Sequence, residues 1–155
     1  MGHFNIIQIS PKPVPQEARI NEMNIYEDGL FLDRSDWGGD PVADDESAME
    51  SIARALSPIA ETDVKARTIT FRPKEEVARK YAEYVRKETE RHLEKTKDTG
   101  SPNWWEYHRK IENVFGISDL FWNDSCQCTG MMLEDYLDGW LPQTVHVGAI
   151  LSAHC

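Results

Sequence analysis

The sequence predicts an α+β fold: a small mixed or antiparallel sheet of three to five strands, the N- and C-terminal strands included, packed against about four helices. Three observations predict it. Residues 4–9 and 144–153 read as strands, residues 73–97 repeat their apolar side chains at helical spacing, and Pro- and Gly-bearing stretches separate the elements. Strands at both ends with helices between favour helices gathered on one face of a sheet over a regular βαβ alternation. At 155 residues, with no internal repeat or low-complexity tract, residues 1–155 are expected to form a single domain with a sizeable core.

The first element, Phe4–Ile9, is rich in Ile and apolar on both faces, the mark of a central strand. Residues 10–24 and 33–45 hold Pro11, Pro13, Pro15, Gly38, Gly39 and Pro41 among scattered acids and read as loops. Between them, Ile25–Leu32 is open to two readings: Asp28-Gly29 makes either a hairpin turn between short strands or part of a loop. A helix is expected from Glu46 to Leu56, capped by Asp45, with Met49, Ile52, Ala53 and Leu56 inward and Pro58 preventing continuation. Arg67–Phe71 alternates and is β-branched, a strand.

The clearest helix runs from Pro73 to Lys97. Pro73 suits a first turn, Glu75 and Glu76 face the positive end of the macrodipole, and Arg91, Lys95 and Lys97 the negative end. Its expected apolar stripe is Val77, Ala78, Tyr81, Ala82, Val85, Thr89 and Leu93, and Glu75–Arg79, Glu76–Lys80 and Glu83–Lys87 are i,i+4 pairs. A third helix is expected to start at Ser101 and Pro102, turn Trp104, Tyr107, Ile111 and Val114 inward, and stop at Gly116. A fourth is expected over Gly130–Asp138, capped by Thr129 and ended by Gly139. The last strand, Thr144–Ala153, places Val145, Val147, Ala149, Leu151 and Ala153 on one face throughout. If it pairs with the first strand, the chain ends meet in the middle of the sheet.

Composition narrows the function. With 40% hydrophobic and 28% charged residues, a mostly disordered chain, a collagen-like fibre and a membrane-spanning protein are excluded. The formal charge is 17 − 27 = −10 and the sequence pI is near 4.9, so direct nucleic-acid binding by phosphate neutralisation is not expected. Charge is uneven: residues 1–62 sum to −8, residues 63–100 to +3 and residues 101–155 to −5. No secretory leader is seen, Ile6 disfavours myristoylation and a terminal Cys155 is no prenylation site, so a cytoplasmic location in a reducing compartment is expected.

Phosphate-cradling, dinucleotide, metalloprotease and nucleophile-elbow patterns are missing. Soft ligands cluster weakly in Cys126, Cys128, His146, His154 and Cys155. Thiolates and imidazoles suit zinc, but a single residue between the cysteines departs from the usual C-x₂₋₄-C chelate, and two histidines eight apart on a straight strand lie about 26 Å from each other. A thiol nucleophile at Cys126 or Cys128, with His146 as base and Asp119 or Asp124 orienting it, lacks the neighbouring cation that lowers a thiol pKa. The carboxylate pairs Asp44–Asp45 and Glu134–Asp135 read as helix caps and dipole partners. Eight aromatic residues lie between Trp104 and Trp140. Trp104 and Trp105, adjacent on a helix and about 100° apart, cannot both face inward, and an exposed Trp105 is a natural interface anchor.

The sharpest feature is acidic. Asp28, Asp33, Asp36, Asp40, Asp44, Asp45, Glu46 and Glu50 place eight carboxylates in 23 residues, opposed only by Arg34. The expectation is a non-enzymatic binding protein, without cofactor, whose acidic face and Trp105 dock a basic, nucleic-acid-binding protein partner. In its most concrete form it is a phage or mobile-element inhibitor that imitates phosphates before a host defence nuclease. The alternative is a small thiol- or zinc-dependent domain using Cys126, Cys128 and the C-terminal residues His154 and Cys155.

Overall fold

The β-forming segments at the two ends of the chain find each other. The computed structural model describes residues 3–21, 23–24, 37–100, 103–112, 120–123, 128–130 and 132–154. In it, β1 (His3–Ser10) pairs antiparallel with β7 (Thr144–His154) from His3↔His154 to Ser10↔His146. Between them come β2 (Trp37–Pro41), α1 (Asp45–Leu56), β3 (Ala60–Asp63), β4 (Thr68–Phe71), α2 (Lys74–Thr99), α3 (Trp104–Glu112), β5 (Leu120–Asn123), β6 (Cys128–Gly130) and α4 (Met132–Leu137), with one 3-10 turn at Gln16–Ala18. The sheet runs β3-β4-β7-β1-β5-β6, and β2 joins the same edge of β7 as β4, farther along the strand. β1 and β5 are parallel and the other neighbours antiparallel, so the sheet is mixed.

The class is the expected α+β, with four α-helices among the described residues. Among the described residues the sheet has seven strands, more than the expected three to five. Trp37–Pro41 pairs with β7 inside the expected loop, and Cys128–Gly130 forms a strand where the fourth helix was expected to begin. These strands are three to five residues long and carry Gly or Pro, so alternation cannot announce them; only the ladder offered by a neighbour does. The Ile25–Leu32 segment lies outside the described residues.

Three helices cover one face of the sheet. Met49, Ile52 and Leu56 of α1, Val77 of α2 and Leu133 and Tyr136 of α4 pack on Ile7, Ile9, Ile69, Phe71, Phe121, Val145, Val147 and Ile150. A smaller cluster forms on the opposite face from Ile6, Trp122, Ala149, Leu151 and Ala153, with Phe4 and Ile20 against it. Burial of β1 on both sides is what its doubled isoleucines require, and it is central. Phe71 and Tyr136 stack at 4.3 Å, and the Tyr136 hydroxyl donates to the Arg72 carbonyl at 2.8 Å, tying α4 to the end of β4.

Helix ends differ from expectation by small steps with clear causes. Asp44, not Asp45, caps α1, accepting from the Ser47 N–H at 2.9 Å. Asn103 starts α3, accepting from the Glu106 N–H at 3.1 Å; Ser101, Pro102 and Gly116 lie outside the described residues. Gly139, at φ +86°, follows α4 as expected. On α2 the expected Glu76–Lys80 and Glu83–Lys87 pairs form at 3.5 and 2.9 Å. The inward stripe turns from Val77 and Tyr81 through Tyr84 to His92, while Ala78, Ala82 and Leu93 face water, Leu93 with 54% of its surface open. At about 100° per residue, position 93 lies about 160° around the helix from Val77 and position 92 only about 60°.

The last strand also departs from a single alternation. Val145 and Val147 face the helices, but beyond them Ile150 does so while Ala149, Leu151 and Ala153 face the other side. The register against β1 shifts between Ile7↔Ile150 and Ile9↔Val147, so Gly148 and Ala149 together oppose Gln8. This β-bulge inverts every later side chain.

Candidate functional site

The bulge in β7 is tied to the first turn of α1 through a single side chain. An extra strand residue leaves backbone groups off the ladder, and two side chains take them up. Buried Gln8 accepts from the Ala149 N–H at 3.1 Å through Oε1, which also accepts from the Ile20 N–H at 3.0 Å; its Nε2 donates to the Ala18 carbonyl at 2.9 Å. From the other edge, Arg67 donates through Nε to the Val147 carbonyl at 3.1 Å and through Nη2 to the Gly148 carbonyl. Its own carbonyl accepts from the Val147 N–H at 2.8 Å, with the Arg67 backbone in the left-handed region at φ +54°. The guanidinium is completed by an ion pair from Nη1 to Asp45 Oδ2. One arginine therefore joins the bulge to the first turn of α1.

That turn presents the described part of the acidic segment. With Met49 and Ile52 buried, the helix must show Glu46 and Glu50 outward; both are exposed, as are Asp44 and Asp45. Asp44, Asp45 and Glu46 stand at the positive end of the α1 dipole, which favours carboxylates there. Two of the four have local work: Asp44 caps the helix and Asp45 holds Arg67. Glu46 and Glu50 form no ion pair among the described residues, although like charges at i,i+4 are mildly destabilising on a helix. Asp40 lies on β2 at the register position opposite Ser152. Asp28, Asp33 and Asp36 lie outside the described residues, as do Cys126 and Cys155.

Trp105 lies on a different helix from the described carboxylates. It sits on α3, 68% exposed, with the Arg109 guanidinium 4.8 Å from its ring centre. Trp104, expected inward, is 57% exposed, its ring tilted against His92 on α2 at 5.8 Å between ring centres. The buried member of this corner is His92, which packs against Tyr107 at 5.0 Å and whose Nε2 has no hydrogen-bond partner among the described residues. Sequence reading missed His92 because a strict four-residue step led to Leu93 instead. Glu88, Arg91, His92, Lys95, Glu106, Tyr107 and Lys110 line a narrow cleft there. Four of its five charged side chains pair with one another: Lys95 binds Glu106 at 2.8 Å and Arg91 lies 3.5 Å from Glu88. The Lys95 hydrogen bond and charge hold the Glu106 carboxyl below its ordinary value, as Lys87 does for Glu83.

Cys128 and His154 are not gathered. Cys128 on β6 and His154 on β7 are three strand positions apart, about 14 Å across the sheet. They also lie at opposite ends of β1, Cys128 level with Ile9 through Asn123 and His154 level with His3, a further 20 Å or so along the strands. One ion cannot bridge them, so the zinc set that includes both is not formed. Among the described residues no group of three or more His, Cys, Asp or Glu side chains is placed to hold a metal ion, and no helix is long and apolar enough to cross a membrane. Comparison with protein-family models, with curated proteins and with solved structures finds no match.

Proposed function

We propose that this protein is a binding module that docks a basic, nucleic-acid-binding protein through the acidic start of α1. The observation that carries the reading is the outward pair Glu46 and Glu50, beside Asp44 and Asp45, on a helix fixed to the sheet by Met49, Ile52 and Leu56 beneath and Arg67 at its first turn. A rigidly mounted row of carboxylates presents negative charge in fixed positions, as a phosphate backbone does, and raises the rate at which a basic surface is met. An inhibitor of a nuclease is the most specific form of this reading: carboxylates occupy the groove that phosphates would fill.

The test reverses charge without touching the cap or the Arg67 link. Glu46→Lys with Glu50→Lys leaves Asp44 and Asp45 in place. Against a Lys/Arg-rich nucleic-acid-binding protein, binding of the natural chain is expected to weaken as salt rises from about 0.05 to about 0.5 M, and a short DNA duplex to compete with it. The double variant is expected to bind at least about tenfold more weakly at low salt. Equal binding by the variant, or binding indifferent to salt, overturns the proposal.

A further inference from the structure

Between β1 and the 3-10 turn the chain reads Pro11-Lys12-Pro13-Val14-Pro15, a proline at every second position. Each ring locks its own φ at about −65° and bars the α region to the residue before it, here Ser10, Lys12 and Val14. Both restraints select the polyproline II helix, and Pro15 has its dihedral angles, φ −67° and ψ 160°. Pro11, Lys12, Pro13 and Pro15 are exposed; Val14 is half-buried and turns in, with Cγ1 against Gly148 of β7. The carbonyls of Pro11, Lys12, Pro13 and Val14 accept no hydrogen bond among the described residues. Both ends of the segment are fastened. Ser10 closes the β1–β7 ladder opposite His146 and its Oγ accepts from the Lys12 N–H at 3.3 Å. At the other end the Pro15 carbonyl accepts from the Ala18 N–H at 3.0 Å, and buried Gln8 holds Ala18 and Ile20 just beyond.

We infer that Pro11–Pro15 is a preformed ligand for a partner protein with a groove of Trp and Tyr side chains, of the WW-domain kind. Polyproline II has three residues per turn, so with Val14 against the body the other two edges of the helix stand in water. Lys12 and Pro15 share one edge and Pro13 lies on the next, so a groove laid along the ridge between them meets both prolines. The chemistry of the segment selects aromatic side chains. Proline rings are rigid and apolar and donate no hydrogen bond, while the carbonyls between them are free acceptors. An indole or phenol ring packs its face on a proline and donates its N–H or O–H to such a carbonyl. Lys12 adds a charge requirement: it is exposed, without an ion pair among the described residues, and calls for one carboxylate beside the aromatic slots. A free proline-rich tail loses conformational freedom when it binds. Here the rings and the two fastened ends have already removed most of it, so docking costs less ordering entropy.

The test titrates the full chain, up to about 1 mM, into a set of isolated WW domains and follows the NMR shifts of their indole N–H groups. At least one domain is expected to bind. Pro13→Ala with Pro15→Ala is expected to raise the Kd at least about tenfold. Lys12→Glu, a change confined to an exposed side chain and so safe for the fold, is expected to raise it about threefold or more. A synthetic peptide of residues 9–17, whose ends are not fastened, is expected to bind about threefold or more weakly than the chain. Glu46→Lys with Glu50→Lys is expected to leave this binding unchanged, which keeps it apart from docking on α1. No domain of the set bound at about 1 mM, or equal binding by both the double-proline and the Lys12 variants, overturns the inference. A peptide that binds as tightly as the chain overturns preformation as its basis.

Discussion

Replacing Gly148 by Ala tests the bulge that orients the second half of β7. A Cβ built at Gly148 would stand 2.4 Å from Gln8 Oε1, 2.7 Å from Gln8 Cδ and 3.0 Å from Val14 Cγ1. Real carbon contacts do not reach the first two distances, and the carboxamide is no free end: its oxygen accepts from Ile20 and Ala149 and its nitrogen donates to Ala18. The methyl group must displace Gln8. Overpacking costs about 1–3 kcal/mol, and the buried Ala149 N–H left without an acceptor costs about 1–3 kcal/mol more. Gly148→Ala should therefore destabilise by about 4 kcal/mol, a large part of the 5–15 kcal/mol typical of a folded domain. Urea unfolding followed by circular dichroism reads this directly, and a double-mutant cycle identifies the cause. Gln8→Ala alone loses the acceptor for Ala149, but in the double variant the new methyl enters space that Gln8 has vacated. The pair should therefore cost about 2 kcal/mol less than the sum of the single changes. Additive losses, or a Gly148→Ala loss below about 1 kcal/mol, would refute the clash as the reason for glycine here.

Two further outcomes follow from the same neighbourhood and from the aromatic contact behind it. Arg67→Ala removes charge-assisted donors from the Val147 and Gly148 carbonyls and should cost about 2–3 kcal/mol; Arg67→Gly loses the same bonds but relieves the φ +54° backbone, and should be about 1 kcal/mol more stable than the Ala variant in thermal unfolding. Burial, reinforced by Glu75, holds the Tyr136 phenol above its ordinary value of 10.0. A raised folded-state value favours the protonated phenol in the fold. Its contribution is therefore complete below pH 10 or so and is lost as pH rises through the folded-state value. Tyr136→Phe should flatten the fall in Tm between about pH 9 and 11, and an unchanged slope would assign the alkaline loss to other groups.

What the sequence made legible follows from how far each signal reaches. Long periodic segments carry their own evidence: α2 over Lys74–Thr99, α1 with its Met49, Ile52 and Leu56 face, and the doubly buried β1 all follow from spacing and composition. Short pieces do not, because Trp37–Pro41 and Cys128–Gly130 become strands only through partners distant in sequence. The bulge lay hidden for a related reason. Val145 to Ala153 keeps an apolar residue at every second position, broken only by Ile150 on the other face, and the extra residue itself shows as the mismatch against β1. Gly148 was the available clue, a glycine inside a strand pattern, where a bulge or close backbone approach is the usual cause. At the candidate site, the exposure of Glu46 and Glu50 could be read from helical phase, whereas the role of Asp45 could not: its partner Arg67 is held in place by carbonyls of β7 some 80 residues away along the chain.

Salt separates docking from a merely solvated acidic face. The start of α1 attracts by unlike charge, so screening weakens whatever docks there. Glu46→Lys with Glu50→Lys takes the formal charge from −10 to −6, so its loss of binding should be largest at low salt and shrink as screening rises. A loss equal at every salt concentration would assign it to something other than the charge on α1, and the reading argued from those carboxylates would fail.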